Sequence, residues 1–582
     1  MTRREWIALA AGAPCAVAAP DIDRFFEDFL TRWVREDPVL ATVMRMLPAA
    51  EQERLEGQLP DISDEAEHKR IALAREGLVE LAKFDLTAVS RDRAFSAQML
   101  QYLLNDVIAE EPFLDFRFPL NQFTGVQARL PTLFTDLHPL RVPRDAENYL
   151  SRLTAFGRVL DQAGTAMNDR AGKGMLLPRF ILVETVDQIK RFTAAAPRDN
   201  VLAASFAKRL ESVKELTPAQ RTAMTARAEK LVNDSVYPAY RRTLDVLASQ
   251  QAAARDDAGL WRLRRGADAY AFYLHRYTTT AMTAQEIHRK GLDEVARLEG
   301  EMDGVLKRLG YKEGAVKDRM RKLGDDNLYP AGPDVRARVL ADYEKFVRDA
   351  RERSLSSFLH TPKAPCIVQR IPEFQEANAA ANYQSPAPDG SRPGIFRVPL
   401  PGDRFTKVRM RTLTYHEAIP GHHFQLALQV EMTSLPRFRR SSPFGSMSAF
   451  SEGWGLYAER LASDLGWYAG DPVSDLGRLD SELFRARRLV VDTGIHAMKW
   501  TREQSIDYGI QRSEVDRYVV MPGQACSYKI GQLKILELRD RARKQLGAKF
   551  DLKQYHDVVL RNGSIPLELL EKTVVEWIRG QV

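Results

Sequence analysis

Apolar residues return at every third and fourth position along most of the chain beyond residue 20, a period that dictates helices. Phe25, Phe26, Phe29, Leu30 and Trp33 share one helical face. So do Tyr149, Leu150, Leu153, Phe156 and Leu160, and again Val232, Tyr237, Tyr240, Leu244 and Leu247. Thr283-Ala284-Gln285-Glu286 has the Thr-x-x-Glu spacing of a capping box, so a helix starts there. It carries the apolar run Ile287, Leu292, Val295 and Leu298. No longer repeat is visible, which argues against a solenoid. At 582 residues, 44% of them hydrophobic, the chain can bury a large core and form more than one domain.

One region breaks the helical period. Residues 366–371 and 394–399 are rich in β-branched or aromatic residues and bounded by proline, so both read as short strands. The loop Gln384–Pro393 between them is built of turn formers. A small sheet is therefore expected just before the most reactive part of the chain. It is either a hairpin covering the core or an edge that pairs with an extended peptide.

The N-terminus has the form of an export signal. Arg3-Arg4 precede a weakly apolar run from Trp6 to Ala19, and Ala16-Val17-Ala18 fits a small-x-small cleavage site. Residues 1–18 are thus expected to be a twin-arginine leader, which places the mature protein in the periplasm or outside the cell. Pro14 makes Cys15 a poor site for a lipid anchor. No internal stretch is apolar enough to span a membrane. The net charge of +7 is thin for this length. The runs Arg437-Arg439-Arg440 and Arg485-Arg487-Arg488 are not flanked by aromatics in a way that suggests base stacking, so no nucleic-acid partner is expected. An arginine beside a peptide-binding cleft could instead hold a substrate carboxylate. The three cysteines form no CxxC pair, which excludes a cysteine-rich zinc site. Cys366 and Cys526 are read as buried thiols, though the spacing leaves a bond between them open.

Three of the ten histidines fall within Tyr415-His416-Glu417-Ala418-Ile419-Pro420-Gly421-His422-His423-Phe424-Gln425. The zinc-peptidase pattern His-Glu-x-x-His places two imidazoles one helical turn apart, with the glutamate activating water. Here the spacing is longer. On a straight helix His416 and His422 would point about 240° apart, and His423 would sit about 10 Å beyond His416 along the axis. Pro420 and Gly421 offer the way out, because proline breaks a helix and glycine permits backbone paths closed to other residues. A break there could return His422 to the place one turn after His416. A Gly-His pair closes the motif in several zinc-peptidase families, which favours His422; His423 remains the alternative.

Zinc needs a further protein ligand. Phe450-Ser451-Glu452-Gly453-Trp454-Gly455-Leu456-Tyr457-Ala458-Glu459 supplies Glu452, with Gly453 and Gly455 allowing close helix packing. The stretch resembles the Asn-Glu-Gly-Phe-Ala segment that provides a ligand in the aminopeptidase branch of the gluzincins. Glu459 is placed to orient a ligating histidine. Amide hydrolysis also needs a donor to the developing oxyanion. His496, on an apolar helix, and Tyr528, after the Pro522-Gly523 turn, are the candidates, with Tyr518 a weaker one.

With these residues in view, the chain resembles the bacterial domain-of-unknown-function 885 family, among the gluzincin metallopeptidases. Residues 416–425, 451–459, 491–501 and 517–531 carry the resemblance. Matches at 149–153, 177–179, 278–291 and 394–396 extend it over almost the whole mature chain. It implies a mainly α, two-lobed fold with a deep cleft and a small sheet beside the metal, similar to thermostable carboxypeptidases, oligopeptidases and angiotensin-converting enzymes. The expected division is an N-terminal helical lobe at 19–255 and a catalytic lobe at 256–582. The expected chemistry is hydrolysis of peptide bonds, of oligopeptidase or carboxypeptidase type: Zn²⁺ on His416, His422 and Glu452, Glu417 as base, and Tyr528 or His496 as oxyanion donor. A zinc amidase acting on cell-wall or other non-peptide amides, or a silent binding protein with the same fold, are the rival expectations.

Overall fold

A computed structural model describes residues 21–376, 380–387, 390 and 392–581; the leader expected at 1–18 lies outside these. The described chain is mainly helical, with one three-stranded sheet. None of its helices is long and apolar enough to cross a membrane. The helices that build and support the site are α1 (Ile22–Arg35), α2 (Pro143–Gly172), α3 (Tyr237–Gln251), α4 (Ala284–Arg308), α5 (Met410–Glu417), α6 (His422–Glu431), α7 (Ser448–Asp464), α8 (Pro472–His496), α9 (Arg512–Val520) and α10 (Ser527–Leu546). The strands are β1 (Cys366–Arg370), β2 (Asn382–Gln384) and β3 (Gly394–Val398).

The apolar stripes read from sequence are buried on α1, α2 and α3, Val232 lying in the π-helical turn just before α3 and Leu244 being only partly covered. The Thr283–Glu286 capping box starts α4 as expected. Leu292, however, is exposed. The buried face of α4 runs through Ile287, Gly291, Val295 and Leu298, and Leu292 sits one position off it. The face turns on Gly291, because a Cβ there would lie 2.8 Å from both Leu489 and Val490 of α8. A small residue at the crossing lets the two helices touch.

Helix α8 runs through all three buried clusters. Leu489 joins the one under the histidine motif; Val491 and Ile495 join the helices of the first half; Leu476, Leu479 and Leu483 join the third. The N-terminal helix belongs to the first cluster as well: Phe26 packs on Phe438 at 5.4 Å and Trp33 on Phe444 at 4.8 Å between ring centres.

The sheet differs from the hairpin considered above. β1 and β3 are parallel, in register from Cys366↔Gly394 to Arg370↔Val398, and β2 pairs antiparallel with β3. A parallel pair needs a crossover, and the segment between β1 and β3 provides it. β2 carries no β-branched residue, so nothing local announced it. Cys366 and Cys526 are both free thiols, and only Cys526 is fully buried.

An ionic cluster is buried where α4, α8 and α10 meet. Lys529 has no exposed surface and bonds Glu482 at 2.6 Å and Glu294 at 2.8 Å. Arg297 and Arg478 also reach Glu482, at 3.0 and 3.2 Å. Burial raises the Glu482 pKa, but Lys529 and the two arginines outweigh it and bring it from 4.5 down to about 2. A carboxylate with a lowered folded pKa stabilises the fold above its unfolded pKa and loses that effect as pH falls toward the folded one. The urea midpoint should therefore drop as pH falls from 4.5 to about 2. Glu482→Gln should flatten that slope; an identical slope in the variant would discount Glu482.

Candidate metal centre

The break between α5 and α6 is where Pro420 and Gly421 put it. Ala418 (φ −109°, ψ −100°) ends one helix and Gly421 (φ −79°, ψ −127°) precedes the next. The Ile419–Pro420 peptide is cis. Gly421 folds back so tightly that a Cβ would lie 1.9 Å from the His416 carbonyl oxygen and 2.3 Å from that of Tyr415. The Trp454 indole on α7 donates to the Pro420 carbonyl at 2.8 Å and pins the break from outside. The two histidines are thereby brought face to edge, with ring centres 4.7 Å apart and planes at 83°.

Glu452 completes the group. Its Oε2 lies 3.4 Å from Nε2 of His416 and 3.4 Å from Nε2 of His422. One donor atom from each of the three residues falls within 4.8 Å of the others. Charge-assisted hydrogen bonds are usually shorter, about 2.7–2.9 Å. The edges of a tetrahedron with zinc-ligand arms of about 2.0–2.2 Å are about 3.3–3.6 Å. Spacing and donor chemistry therefore fit a zinc ion. The Glu452 side chain is 23% exposed, so solvent reaches the trio on its side.

Glycines and a carboxylate hold this geometry. A Cβ on Gly455 would lie 2.7 Å from the His416 ring, so the glycine clears the space for that imidazole. Gly453 rests on Gly531, where α7 and α10 cross. Glu459, two turns after Glu452, accepts from His416 Nδ1 at 2.8 Å, which fixes the ring and leaves Nε2 toward the trio. His422 has no such partner: its Nδ1 is buried without one among the described residues, and its position is set by the backbone break.

The electrostatics favour a cation. Burial pulls the His416 pKa down, but Glu452 and Glu459 pull it up to about 9. Burial would raise Glu452, yet the two imidazoles hold it well below the usual carboxylate range. Glu417 is buried next to the trio without being one of its ligands; burial raises its pKa, only partly offset by His422 and His416.

The other expected residues divide. His423, the alternative to His422, turns away from the trio: its Nδ1 meets the Tyr383 hydroxyl on β2 at 2.9 Å, and Gly394 of β3 leaves room for its ring. His496 is also to be corrected. Its Nδ1 accepts the Leu260 N–H at 3.2 Å and its Nε2 bonds the Tyr518 carbonyl at 3.0 Å. With both nitrogens committed to backbone and burial lowering its pKa to about 4, it ties the turn at Leu260 to α9 and has no free nitrogen for an oxyanion. The Tyr518 hydroxyl donates to Glu514 at 3.0 Å. Tyr528 is half-buried under Arg488, whose guanidinium carbon lies 4.5 Å from its ring centre. It sits one turn before Gly531, beside the part of α7 that carries Glu452. Sequence reasoning missed Trp454 and Tyr383 as supports; the Trp between two packing glycines was the available hint, and Tyr383 had none.

Among solved structures, the chain is similar to a candidate lipoprotein from Colwellia psychrerythraea, at 31% identity and a TM-score of 0.90, covering 96% of this chain and 99% of that one. It is also similar in fold to a candidate lipoprotein of unknown function from Shewanella oneidensis, at 19% identity and a TM-score of 0.70, covering 96% of this chain and 100% of that one. None of the curated proteins matches it. Residues 38–574 match the bacterial proteins of unknown function grouped as DUF885, and the chain belongs to that family.

Proposed function

We propose that this member of the DUF885 family is an exported hydrolase of peptide-type amide bonds, with zinc held by His416, His422 and Glu452. The observation that carries the reading is the pair of 3.4 Å spacings that set each imidazole Nε2 one tetrahedral edge from the same carboxylate oxygen. A bound zinc would polarise the scissile carbonyl and bring the pKa of a water toward neutrality. Glu417, buried beside the ligands, accepts the proton of the attacking water and delivers it to the leaving amine. Tyr528 is the remaining candidate to donate to the oxyanion. A cleft between lobes 19–255 and 256–582, as in gluzincins, is part of this reading, and so is export through the Arg3-Arg4 leader. The description of the solved relatives as candidate lipoproteins supports a place outside the cytoplasm, which cell fractionation tests.

The direct test is metal analysis of the purified protein with mass-spectrometric profiling of a peptide library. About one zinc per chain is expected, with cleavage lost on chelation and restored by zinc. A folded preparation that never retains a divalent ion, or leaves every peptide intact, would end the reading. Glu459→Ala should weaken zinc binding about 10–100-fold, because His416 loses the carboxylate that orients it. Competition against a chelating dye measures this; unchanged affinity would deny Glu459 that part.

A further inference from the structure

Positive charge collects beside the trio, and the protein neutralises little of it. Helices α5 and α8 run side by side: Gly477 rests on the Val408 carbonyl and Asp480 pairs with Arg409 at 2.7 Å. Eight residues further along each, about 12 Å on a helix, come His416 and Glu417 on one side and Arg485 on the other. The Arg485 charge is felt at Glu417. One turn on from Arg485 is Arg488, stacked on Tyr528. Arg517 joins Arg488 there through Glu514, which bonds both. Ser527, which precedes Tyr528, bonds Ser448 at 2.7 Å, one turn before Glu452. The arginines thus stand along the Glu417 and Glu452 side of the site.

Arg488 and Arg517 share one carboxylate. Glu514 receives Arg488 at 2.8 Å and Arg517 at 3.5 Å, and also the Tyr518 hydroxyl. Arg485 bonds only the hydroxyl and carbonyl of Ser481 and meets no carboxylate among the described residues. Arg488 is only 5% exposed, yet its Nε and Nη1 have no hydrogen-bond partner among the described residues. Stacking on Phe484 and Tyr528 attracts a guanidinium, but it does not satisfy its N–H donors. Buried donors left without partners are costly, and a guanidinium fork matches a carboxylate.

We propose that Arg485, Arg488 and Arg517 form a subsite for the free C-terminal carboxylate of the substrate, so that the protein removes residues from the C-terminal end of peptides. The inference rests on the peptidase reading and narrows its substrate class. The carboxylate accepts from the free Arg488 donors and from Arg485, and the chain leads back from it across the metal ligands and Glu417.

The shared chemistry is a carboxylate, and its source can be a chain terminus or an acidic side chain. Binding is therefore measured by calorimetry on the zinc-loaded full mature chain carrying Glu417→Gln, which holds peptide without turning it over. Three probes are compared: acetyl-trialanine, its C-terminal amide, and an amide ending in glutamate. The free acid should bind at least about tenfold more tightly than either amide. Arg485→Gln should erase that preference. Arg485 is half-buried and outside the Glu514 pairs, which favours a folded variant, and Arg488→Lys serves as the second. Equal binding of acid and amide would overturn the subsite, and so would a glutamyl amide that matches the free acid. Cleavage by the wild-type protein separates the two failures. If acid and amide are both cut at similar rates, only the subsite falls; if neither is bound or cut, the peptidase reading falls with it.

Discussion

Glu417→Gln is expected to keep its zinc and lower kcat about 10²–10⁴-fold. The argument is one of position. Glu417 follows His416 directly and is buried, but it is not one of the three residues whose donor atoms converge. Removing its charge while keeping its shape should therefore spare the ion. The change removes a buried carboxylate next to the trio that is neither part of it nor bonded to it, whereas Glu459 is bonded to His416. A glutamine cannot take a proton from water or return one to an amine. Kinetics on a cleavable peptide, with metal content and circular dichroism measured on the same sample, give the answer. A folded, zinc-bound variant with full activity would remove Glu417 from the mechanism.

How much of this was legible beforehand follows from which interactions are local. The helical class rests on a period that each segment repeats for itself, so it could be read, and so could the box at Thr283–Glu286. The break after Glu417 was also local, because Pro420 and Gly421 forbid a straight path. Its torsions were not. Neighbouring residues on a helix point about 100° apart, so the choice between His422 and His423 depended on how Ala418 to Gly421 turn. His496 was misread because its partners are the backbone of Leu260 and Tyr518, which no side-chain pattern announces. The parallel order of β1 and β3 is likewise a tertiary fact, as is the convergence of Arg485, Arg488 and Arg517 from two helices. The run Arg485-Arg487-Arg488 was visible as charge; its burial beside Tyr528 was not. Arg487, between them, pairs outward with Glu299 at 2.7 Å.

Gly421→Ala should be the most damaging single methyl group in the site. The added Cβ would meet the carbonyl oxygens of His416 and Tyr415 at 1.9 and 2.3 Å. These are backbone atoms at the end of α5, not side chains that can swing aside. To make room, the chain between Ala418 and Gly421 must open, and α6 begins with His422. Among the described residues that imidazole has no partner at Nδ1, so its place depends on the break. The Trp454 bond to the Pro420 carbonyl would be strained by the same shift. A loss of about 4 kcal/mol or more is expected, in the range reserved for core disruption, together with loss of zinc. Gly455→Ala makes a useful contrast. Its methyl would press at 2.7 Å on the His416 ring, a side chain, so it should weaken zinc binding with a smaller loss of stability. Denaturant midpoints and zinc titrations of the two variants test this. A Gly421→Ala protein as stable and as tightly metallated as the parent would show that the break does not set the ligand geometry.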